Sequence, residues 1–350
     1  MLTSDLFESN KKIDAYVFTD ESNRFYFTRF ETSFGAVVIG RDAKVFITDF
    51  RYESEAREIV KDFDIVICKA SDFYEKIAET LAKMGATTVG YGEAMYVNEF
   101  NAFKTALKEF KLKPASDVIE AKRAVKTDEE IEIIIAAQRI AEGALQRAIS
   151  RVKIGMTERE LMAEINYEMV IGGAQGYSFE TIAAFGANTA QPHHHPSDKK
   201  LEKDELILVD MGAKYKGYCS DMTRTFCLGD PGEELRRVYN VVKSAQEYAI
   251  KYARAGMTCH DVDTLAREYI TANGYGDKFG HSFGHGVGID IHEEPRVGAN
   301  SQTVLQPNMV ITAEPGIYIP GLGGVRIEDM LVVKAGGVTD ITSYDKKLTI

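Results

Sequence analysis

The chain has 350 residues, of which 45% are hydrophobic and 27% are charged. Its length predicts two domains, because one hydrophobic core usually serves fewer residues than this. The formal net charge of −11 argues against nucleic acid or an anionic membrane as the main partner.

The hydropathy pattern and the cysteines bear on the compartment. No apolar run approaches the roughly 20 residues that cross a bilayer. The first residues, MLTSDLFESNKKIDAY, lack the basic and then apolar layout of a signal peptide. The four cysteines show no paired spacing and no CxxC motif, as expected of reduced, packed thiols. We therefore expect a cytoplasmic protein without a membrane partner.

Residues 1–120 alternate strand-like and helix-like segments, which predicts a small α/β domain. The predicted strands are AYVFTD, FYFTRF, GAVVIG, KVFITD and TTVGYG. The predicted helices are YESEAREIVKDF, FYEKIAETLAKMG and residues 98–111. Neither GxGxxG nor a Walker A loop is present, so we expect a shaping or dimerising role for this domain.

Three helix starts are predicted in residues 121–350 from capping boxes, in which a Thr and an acid three residues later satisfy each other's backbone amides. Thr127 and Glu130 begin a helix that runs to about Arg151. A second box has Thr157 and Glu160, and residues 258 and 261 form a third with Thr and the shorter Asp.

The second domain repeats its own pattern. KIGMTERELMAEI, from residue 153, resembles RAGMTCHDVDTLA, from residue 254. LEKDELILVD and LQPNMVITAE then each end an apolar strand with an acid, at Asp210 and Glu314. A second acid follows each of these, at Asp221 and Glu328. The common order predicts two related helix-helix-strand halves that face each other across a pseudo-twofold axis.

Four acids at such an axis could not all stay ionised without cations. Taken singly, Asp210 and Asp221 are better explained as turn residues or helix caps, and the segment of Glu328 as a surface hairpin edge. Glu314 is harder to explain in this way, because Glu is a poor turn former. Their joint occurrence at repeat-related positions, with histidines in PHHHP and GHSFGHGVGIDIH, is what favours a metal site. Carboxylates with imidazole suit Mn, Co, Fe or Zn, and two such ions can share bridging carboxylates.

Four motifs of the second domain resemble, in order and spacing, those of the pita-bread metallopeptidases specific for Xaa-Pro bonds: Xaa-Pro dipeptidase (prolidase) and Xaa-Pro aminopeptidase (aminopeptidase P). They are VDMGAKYKGYCSDMTRTF, HSFGHGVGIDIHEEP, ITAEPGIYIP and GGVRIEDMLVV. NRFYFTRF and ITDFRY resemble the creatinase-type N-terminal domain of the same enzymes. The resemblance implies an α+β fold, in which a creatinase-type α/β domain of residues 1–120 precedes a pita-bread catalytic domain of residues 121–350. It also implies a homodimer.

The resemblance further implies two divalent metal ions and five protein ligands. Asp210 would bind one ion, Asp221 and Glu328 would bridge both, and His285 and Glu314 would complete the second. Glu314 would also act as the general base.

The substrate contacts are carried over in the same way. His193 and His292 would hydrogen-bond the scissile carbonyl or its oxyanion. His281 and Arg326 fall on supporting positions near the metals and substrate. Arg296 is a candidate for binding the substrate carboxylate, and Phe179 for one wall of the proline pocket.

We favour a dipeptidase, with an aminopeptidase acting on longer Xaa-Pro peptides as the alternative. A metal-free creatinase-type C–N hydrolase would need neutral residues in the acid cluster, where all five ligand positions are intact. A methionine aminopeptidase would lack the N-terminal domain. A non-catalytic binding protein of this fold is disfavoured by the intact ligands and histidines.

Overall fold

The computed structural model describes residues 6–350, which divide into two compact units after Arg123. The elements of the first unit are α1 (Leu6–Ser9), β1 (Ala15–Phe18), α2 (Glu21–Thr28), β2 (Ala36–Gly40), β3 (Lys44–Thr48), α3 (Glu53–Ile59), β4 (Asp64–Ile67), α4 (Phe73–Lys83), β5 (Thr88–Tyr91), α5 (Val97–Ala106), β6 (Lys111–Pro114) and α6 (Ser116–Ala124), which ends at the boundary.

The first unit is built on a six-stranded mixed sheet in the order β4-β3-β2-β1-β5-β6. The β1–β2 and β2–β3 pairs are antiparallel, and the other neighbours are parallel. Strand side chains such as Val17 and Val38 pack in one core with Ile77 and Leu81 of α4 and Phe103 of α5. In the helices, apolar residues recur on the face that packs on the sheet, and polar residues occupy the other face. This pattern is why these segments fold as the predicted helices.

One predicted strand is wrong. The segment FYFTRF belongs largely to α2, because the Asp20 side chain accepts a hydrogen bond from the amide of Asn23 and caps a helix there. Arg29 ends the helix in the left-handed conformation. The aromatic residues of the segment favour a strand, but tertiary burial of Phe25, Tyr26 and Phe27 overrides that preference. The helix predicted for residues 98–111 also ends early, at Ala106.

The second unit runs from Ala124 to Ile350. Its elements are α7 (Asp128–Ile149), α8 (Glu158–Ile171), β7 (Gly176–Tyr177), β8 (Ile182–Phe185), β9 (Leu206–Met211), β10 (Ala213–Tyr215), β11 (Tyr218–Cys219), β12 (Met222–Cys227), α9 (Glu233–Tyr252), α10 (Cys259–Ala272), β13 (Gly284–Gly286), β14 (Glu293–Val297), β15 (Val310–Ala313), β16 (Gly316–Ile319), β17 (Gly323–Arg326), β18 (Asp329–Lys334) and β19 (Gly337–Asp340).

The helix-helix-strand order recurs within this unit as the sequence repeat predicts. In the first half α7 and α8 precede the sheet β12-β9-β8, and in the second half α9 and α10 precede the sheet β14-β13-β15-β18-β19. Each half has its own apolar cluster between its helices and strands. The capping boxes of α7, α8 and α10 all form, including the one that uses Asp261.

No helix among residues 6–350 combines the length and the apolar character that crossing a membrane requires.

Candidate metal centre

Two antiparallel strand pairs bring the four predicted acids together. Asp210 lies in β9 opposite Thr223 of β12, and Asp221 directly precedes β12. Glu314 directly follows β15 and Glu328 directly precedes β18, and these two strands also pair. The two halves therefore present their acids in the same way. The repeat supplies two carboxylates from each side.

Thr223 joins the two halves at the centre. Its hydroxyl donates to Glu328 Oε2 at 2.7 Å, and its carbonyl accepts from the Glu328 amide at 3.1 Å. Glu328 is thereby fixed to β12, next to Asp221. One ligand atom each from Asp221, His285 and Glu328 lies within 4.8 Å of the others, close enough to share one cation.

His285 presents a free lone pair to this cluster. Its Nδ1 donates to the carbonyl of Gly286 at 3.0 Å, so in the neutral ring Nε2 is unprotonated. Nε2 lies 3.5 Å from Asp221 Oδ2 and 3.4 Å from Glu314 Oε1. Burial lowers the pKa of His285 to about 4. The ring is therefore neutral at pH 7, which is the form that binds metals.

A glycine allows β13 to bring His285 this close. A Cβ on Gly284 would lie 2.2 Å from the carbonyl oxygen of Thr312 in β15. The next residue, His285, donates its amide to the Thr312 hydroxyl at 3.0 Å. A larger residue at 284 would push the strand, and the imidazole with it, away from the acids.

Arg326 connects the cluster to a second set of polar groups. It donates to Asp210 Oδ2 at 2.6 Å and to the Tyr318 hydroxyl at 2.9 Å. Burial raises the pKa of Tyr318 to about 12, so its hydroxyl keeps its proton and donates to His281 Nε2 at 2.9 Å. His281 Nδ1 donates to the Ser282 carbonyl. Both nitrogens of His281 are thus used within the protein, which favours a supporting role.

The buried negative charge exceeds what Arg326 alone can balance. Burial and the charges on Asp210 and Glu314 raise the pKa of Asp221 well above its usual range. Burial and Asp221 do the same for Glu328, and burial raises the pKa of Glu314 to about 8. Within the described residues, Asp210 Oδ1 is buried without a hydrogen-bond partner. A carboxylate-rich site with an unpartnered oxygen and a neutral imidazole fits a divalent cation.

The two histidines predicted to contact the substrate, His193 and His292, lie at the exposed side of this cluster. The His292 ring lies 4.4 Å from the His285 ring, centroid to centroid, in an edge-to-face contact. Burial lowers the pKa of His281 to about 4, and the exposed His193 lies close enough to contribute to that shift. Both imidazoles can therefore be reached by a molecule that approaches from solvent.

Arg296 and Phe179, the other two residues predicted to contact the substrate, lie less close to the acid cluster. Arg296 is exposed, and its Nε donates to the Ser282 hydroxyl at 3.1 Å, beside His281. Phe179 is half-buried between β7 and β8, three residues before Ile182, which pairs with Asp210. The structure puts both on segments that border the cluster.

Tyr318 and Thr223 are functional candidates that the motifs contained but that sequence reasoning did not assign. Tyr318 lies in ITAEPGIYIP and Thr223 in DMTRTF. A tyrosine in a buried strand needs a hydrogen-bond partner for its hydroxyl, and that signal was available. The partners themselves come from segments up to 105 residues away, so only the fold identifies them.

The chain is similar to known proteins in both sequence and structure. The model of metallopeptidase family M24 matches residues 132–335, and that of the creatinase/prolidase N-terminal domain matches residues 7–125. The Xaa-Pro dipeptidase of Pyrococcus furiosus is 41% identical over 98% of this chain and 97% of that protein. The structure of an Xaa-Pro dipeptidase from Bacillus anthracis has a TM-score of 0.95 at 38% identity, covering 99% of this chain and 98% of that one. An X-Pro aminopeptidase structure from Thermotoga maritima has a TM-score of 0.91 at 35% identity, covering 97% and 98%.

Proposed function

Because the chain belongs to metallopeptidase family M24, we propose that it hydrolyses the Xaa-Pro bond of dipeptides. The observation that carries this proposal is the convergence of four acids and a neutral imidazole in one buried cluster. The similarity to two Xaa-Pro dipeptidases over nearly the whole chain supports the choice of substrate.

Five side chains would hold two divalent ions. Asp210 would bind one ion, Asp221 and Glu328 would bridge both, and His285 and Glu314 would complete the second. The short distances from His285 Nε2 to Asp221 and Glu314 support this assignment. When bound, the ions would lower the pKa of a water molecule so that it serves as the nucleophile, and would polarise the scissile carbonyl.

Glu314 would receive the proton that the nucleophile loses. Its Oε1 accepts a hydrogen bond from the Thr312 hydroxyl at 3.2 Å, which holds the carboxylate in place. His193 and His292 would donate hydrogen bonds to the carbonyl oxygen as negative charge develops on it. Their exposed positions beside His281 and His285 support that role.

The substrate adds two requirements that other residues would meet. An Xaa-Pro bond has no N–H, so recognition must rest on the proline ring and on charged ends. Phe179 would supply one apolar wall for the ring. Arg296 would bind the free carboxylate of proline, and its contact with Ser282 supports a position beside His281. Arg326 and His281 would hold the surrounding groups in position rather than meet the substrate directly.

An Xaa-Pro aminopeptidase is the second candidate. The aminopeptidase structure from Thermotoga maritima and the prolidase structure from Pyrococcus furiosus have nearly equal TM-scores, 0.91 and 0.89. The backbone therefore does not separate a site closed beyond proline from an open one.

Product analysis separates the two. Leu-Pro, the tripeptide Leu-Pro-Ala and the control Leu-Ala would each be incubated with the manganese-loaded protein. Release of proline from Leu-Pro, with Leu-Pro-Ala and Leu-Ala left intact, is the expected result. Release of leucine from Leu-Pro-Ala would make the protein an aminopeptidase. Cleavage of none of them by protein that holds two ions would favour the binding-protein alternative.

Metal identity, assembly and compartment extend the proposal. Manganese, cobalt, iron and zinc all suit the donor set, and the rates after reconstitution with each would rank them. We expect a homodimer, which sedimentation of the metal-loaded protein would test. The cysteines at 68, 219, 227 and 259 are all buried and unpaired with one another, which supports a reducing, cytoplasmic location.

A further inference from the structure

The loop from Gly186 to Glu205, between β8 and β9, carries His193, and one buried acid binds it at several points. Glu158 is the first residue of α8, and its side chain is fully buried. Its Oε1 accepts from the Phe185 amide at 2.8 Å and from Asn188 Nδ2 at 2.9 Å. Its Oε2 accepts from His194 Nε2 at 2.8 Å. The amide and hydroxyl of Ser197 also donate to Oε2, at 2.9 and 2.6 Å.

We propose that Glu158 is a positioning residue for the reaction: it fixes this loop so that His193 points to the scissile carbonyl. The inference rests on the proposed role of His193. It assigns to Glu158 no contact with substrate or metal.

The contacts of His194 show how Glu158 would set the orientation of the adjacent His193. His194 is buried and tied to Glu158, whereas His193 is exposed. Rotation of the backbone at 194 would break the bond to Glu158 and turn His193 at the same time. Much of the segment after residue 190 is irregular, so side-chain hydrogen bonds replace the ladder that would fix a strand.

The N-terminus of α8 binds the same loop a second time. The amide of Glu158 donates to the Lys199 carbonyl at 3.1 Å, and the amide of Arg159 donates to the Ser197 carbonyl at 3.2 Å. Thr157 and Lys200 form an isolated antiparallel bridge. The N-terminal end of α8 therefore binds both the first residues of the loop and the residues that lead back to β9.

The charge of Glu158 makes it an acceptor for all five bonds. Burial favours the neutral form, but the hydrogen bonds from Ser197, His194 and Asn188 outweigh it and lower the pKa of the Glu158 carboxyl. The carboxylate also lies in the first turn of α8, where the helix dipole stabilises negative charge. A neutral amide could not accept from donors on both of its terminal atoms.

The second half of the unit uses a related device. Asp263 of α10 is fully buried and accepts from the Phe283 amide at 2.9 Å, as Glu158 does from Phe185. Arg267 pairs with Asp263 and donates to the His281 carbonyl at 2.7 Å. A buried acid on the second helix thus holds the histidine-bearing segment in both halves. In the first half, the groups bound by the acid include the imidazole of His194, next to His193.

The test compares Glu158→Gln with Glu160→Gln, the same substitution two residues along the helix at an exposed capping position. We expect kcat for Leu-Pro to fall about 10- to 100-fold in Glu158→Gln, as for a misplaced catalytic group. KM and bound metal should stay near their wild-type values, and Glu160→Gln should behave as wild type. A rise in KM with unchanged kcat would contradict the proposal.

A double-mutant cycle with His193→Ala separates positioning from general damage. Glu158→Gln should cost little further activity once His193 is gone. An equal loss in both backgrounds would overturn the proposal. If Glu158→Gln does not fold, Ser197→Ala removes one of the five donors and enters the same cycle.

Hydrogen exchange gives a readout that does not depend on catalysis. Amides of residues 185–197 should exchange faster in Glu158→Gln than in wild type, while those of β9 and β12 keep their rates. Unchanged exchange in the loop would refute the anchor. Faster exchange in Glu158→Gln, together with a wild-type protein that does not cleave Leu-Pro, would separate the two ideas. Glu158 would then still anchor the loop, but both the proposed function and the catalytic role of the anchor would be refuted.

Discussion

At the scale of single residues, the centre of the second unit is a group of buried carboxylates whose charges need a cation. Asp210, Asp221, Glu314 and Glu328 stand at repeat-related positions, and the fold brings them together. The buried anchoring role of Glu158 was invisible, because in the sequence it reads as an ordinary acid in a first helical turn. Its partners lie 27 to 39 residues away.

The substitution Asp221→Asn tests the cluster directly. It removes one charge and one bridging oxygen while keeping the shape of the side chain. We expect turnover to fall at least about 1,000-fold and bound metal to fall below two ions per chain. Without metal the variant should melt at or above the wild-type temperature at pH 8, because a repelling carboxylate has been removed. The exposed substitution Asp277→Asn is the control, and full activity in Asp221→Asn would rule out the bridge.

His193→Ala tests the role assigned to the exposed histidine. A hydrogen bond that strengthens in the transition state lowers kcat more than it raises KM when it is lost. We expect kcat for Leu-Pro to fall about 100-fold and KM to change less than about threefold. His195→Ala removes an exposed imidazole two residues away and should leave both constants unchanged. A change confined to KM would make His193 a simple binding residue.

At the scale of elements, local signals predicted helix starts well and the aromatic segment of the first domain badly. Capping boxes are local, so the three in the second domain form where the sequence predicts. The segment FYFTRF is wrongly predicted as a strand because Phe and Tyr favour strands in general, while the Asp20 cap, five residues before the segment, decides the outcome here. Residues 111–114 form strand β6 instead of the end of a helix. The strand forms because it pairs with β5, and no local sequence pattern specifies that pairing.

Thr127→Ala tests the cap of α7. The Thr127 hydroxyl accepts from the Glu130 amide, and its loss should cost about 1 kcal/mol of stability. For a unit of this size we expect the melting temperature to fall by about 2–4 °C with activity unchanged. The control is Thr271→Ala, whose hydroxyl donates back to the Arg267 carbonyl within α10. An equal fall in both variants would show that the cap contributes nothing specific.

At the scale of the whole molecule, the match to family M24 and to the creatinase/prolidase N-terminal domain confirms the fold class inferred from the motifs. The internal repeat explains the charge at the centre, because each half contributes acids that the other half cannot neutralise. The catalytic half could be predicted because its chemistry recurs in order along the chain. The size of the substrate pocket beyond the proline could not be predicted. It depends on the positions of loops, which the spacing of sequence motifs does not encode.

The same charge predicts the pH dependence of the metal-free protein. The pKa of Glu314 is raised from an ordinary value of 4.5 to about 8, so the folded protein holds a proton that the unfolded chain releases. That contribution to stability is complete below about pH 4.5 and is lost as the pH rises through about 8. The free energy of unfolding should fall by about 1.4 kcal/mol per pH unit for each proton so held.

Denaturant unfolding between about pH 5 and pH 9 would measure this slope. With chelator present stability should decline across the range, and with saturating manganese it should be level or rise, because the carboxylates then bind cations instead of protons. Glu314→Gln should reduce the decline in the metal-free protein. Equal slopes with and without manganese would show that the cluster does not hold the metal.

Proline release from Leu-Pro, measured as manganese is returned to chelated protein, would decide whether the buried acids bind the ions that hydrolysis needs. We expect no release with chelator, a rate that rises as manganese is added, and a maximum at two ions per chain. Full proline release in the presence of chelator, or none from protein shown to hold two ions, would contradict this expectation.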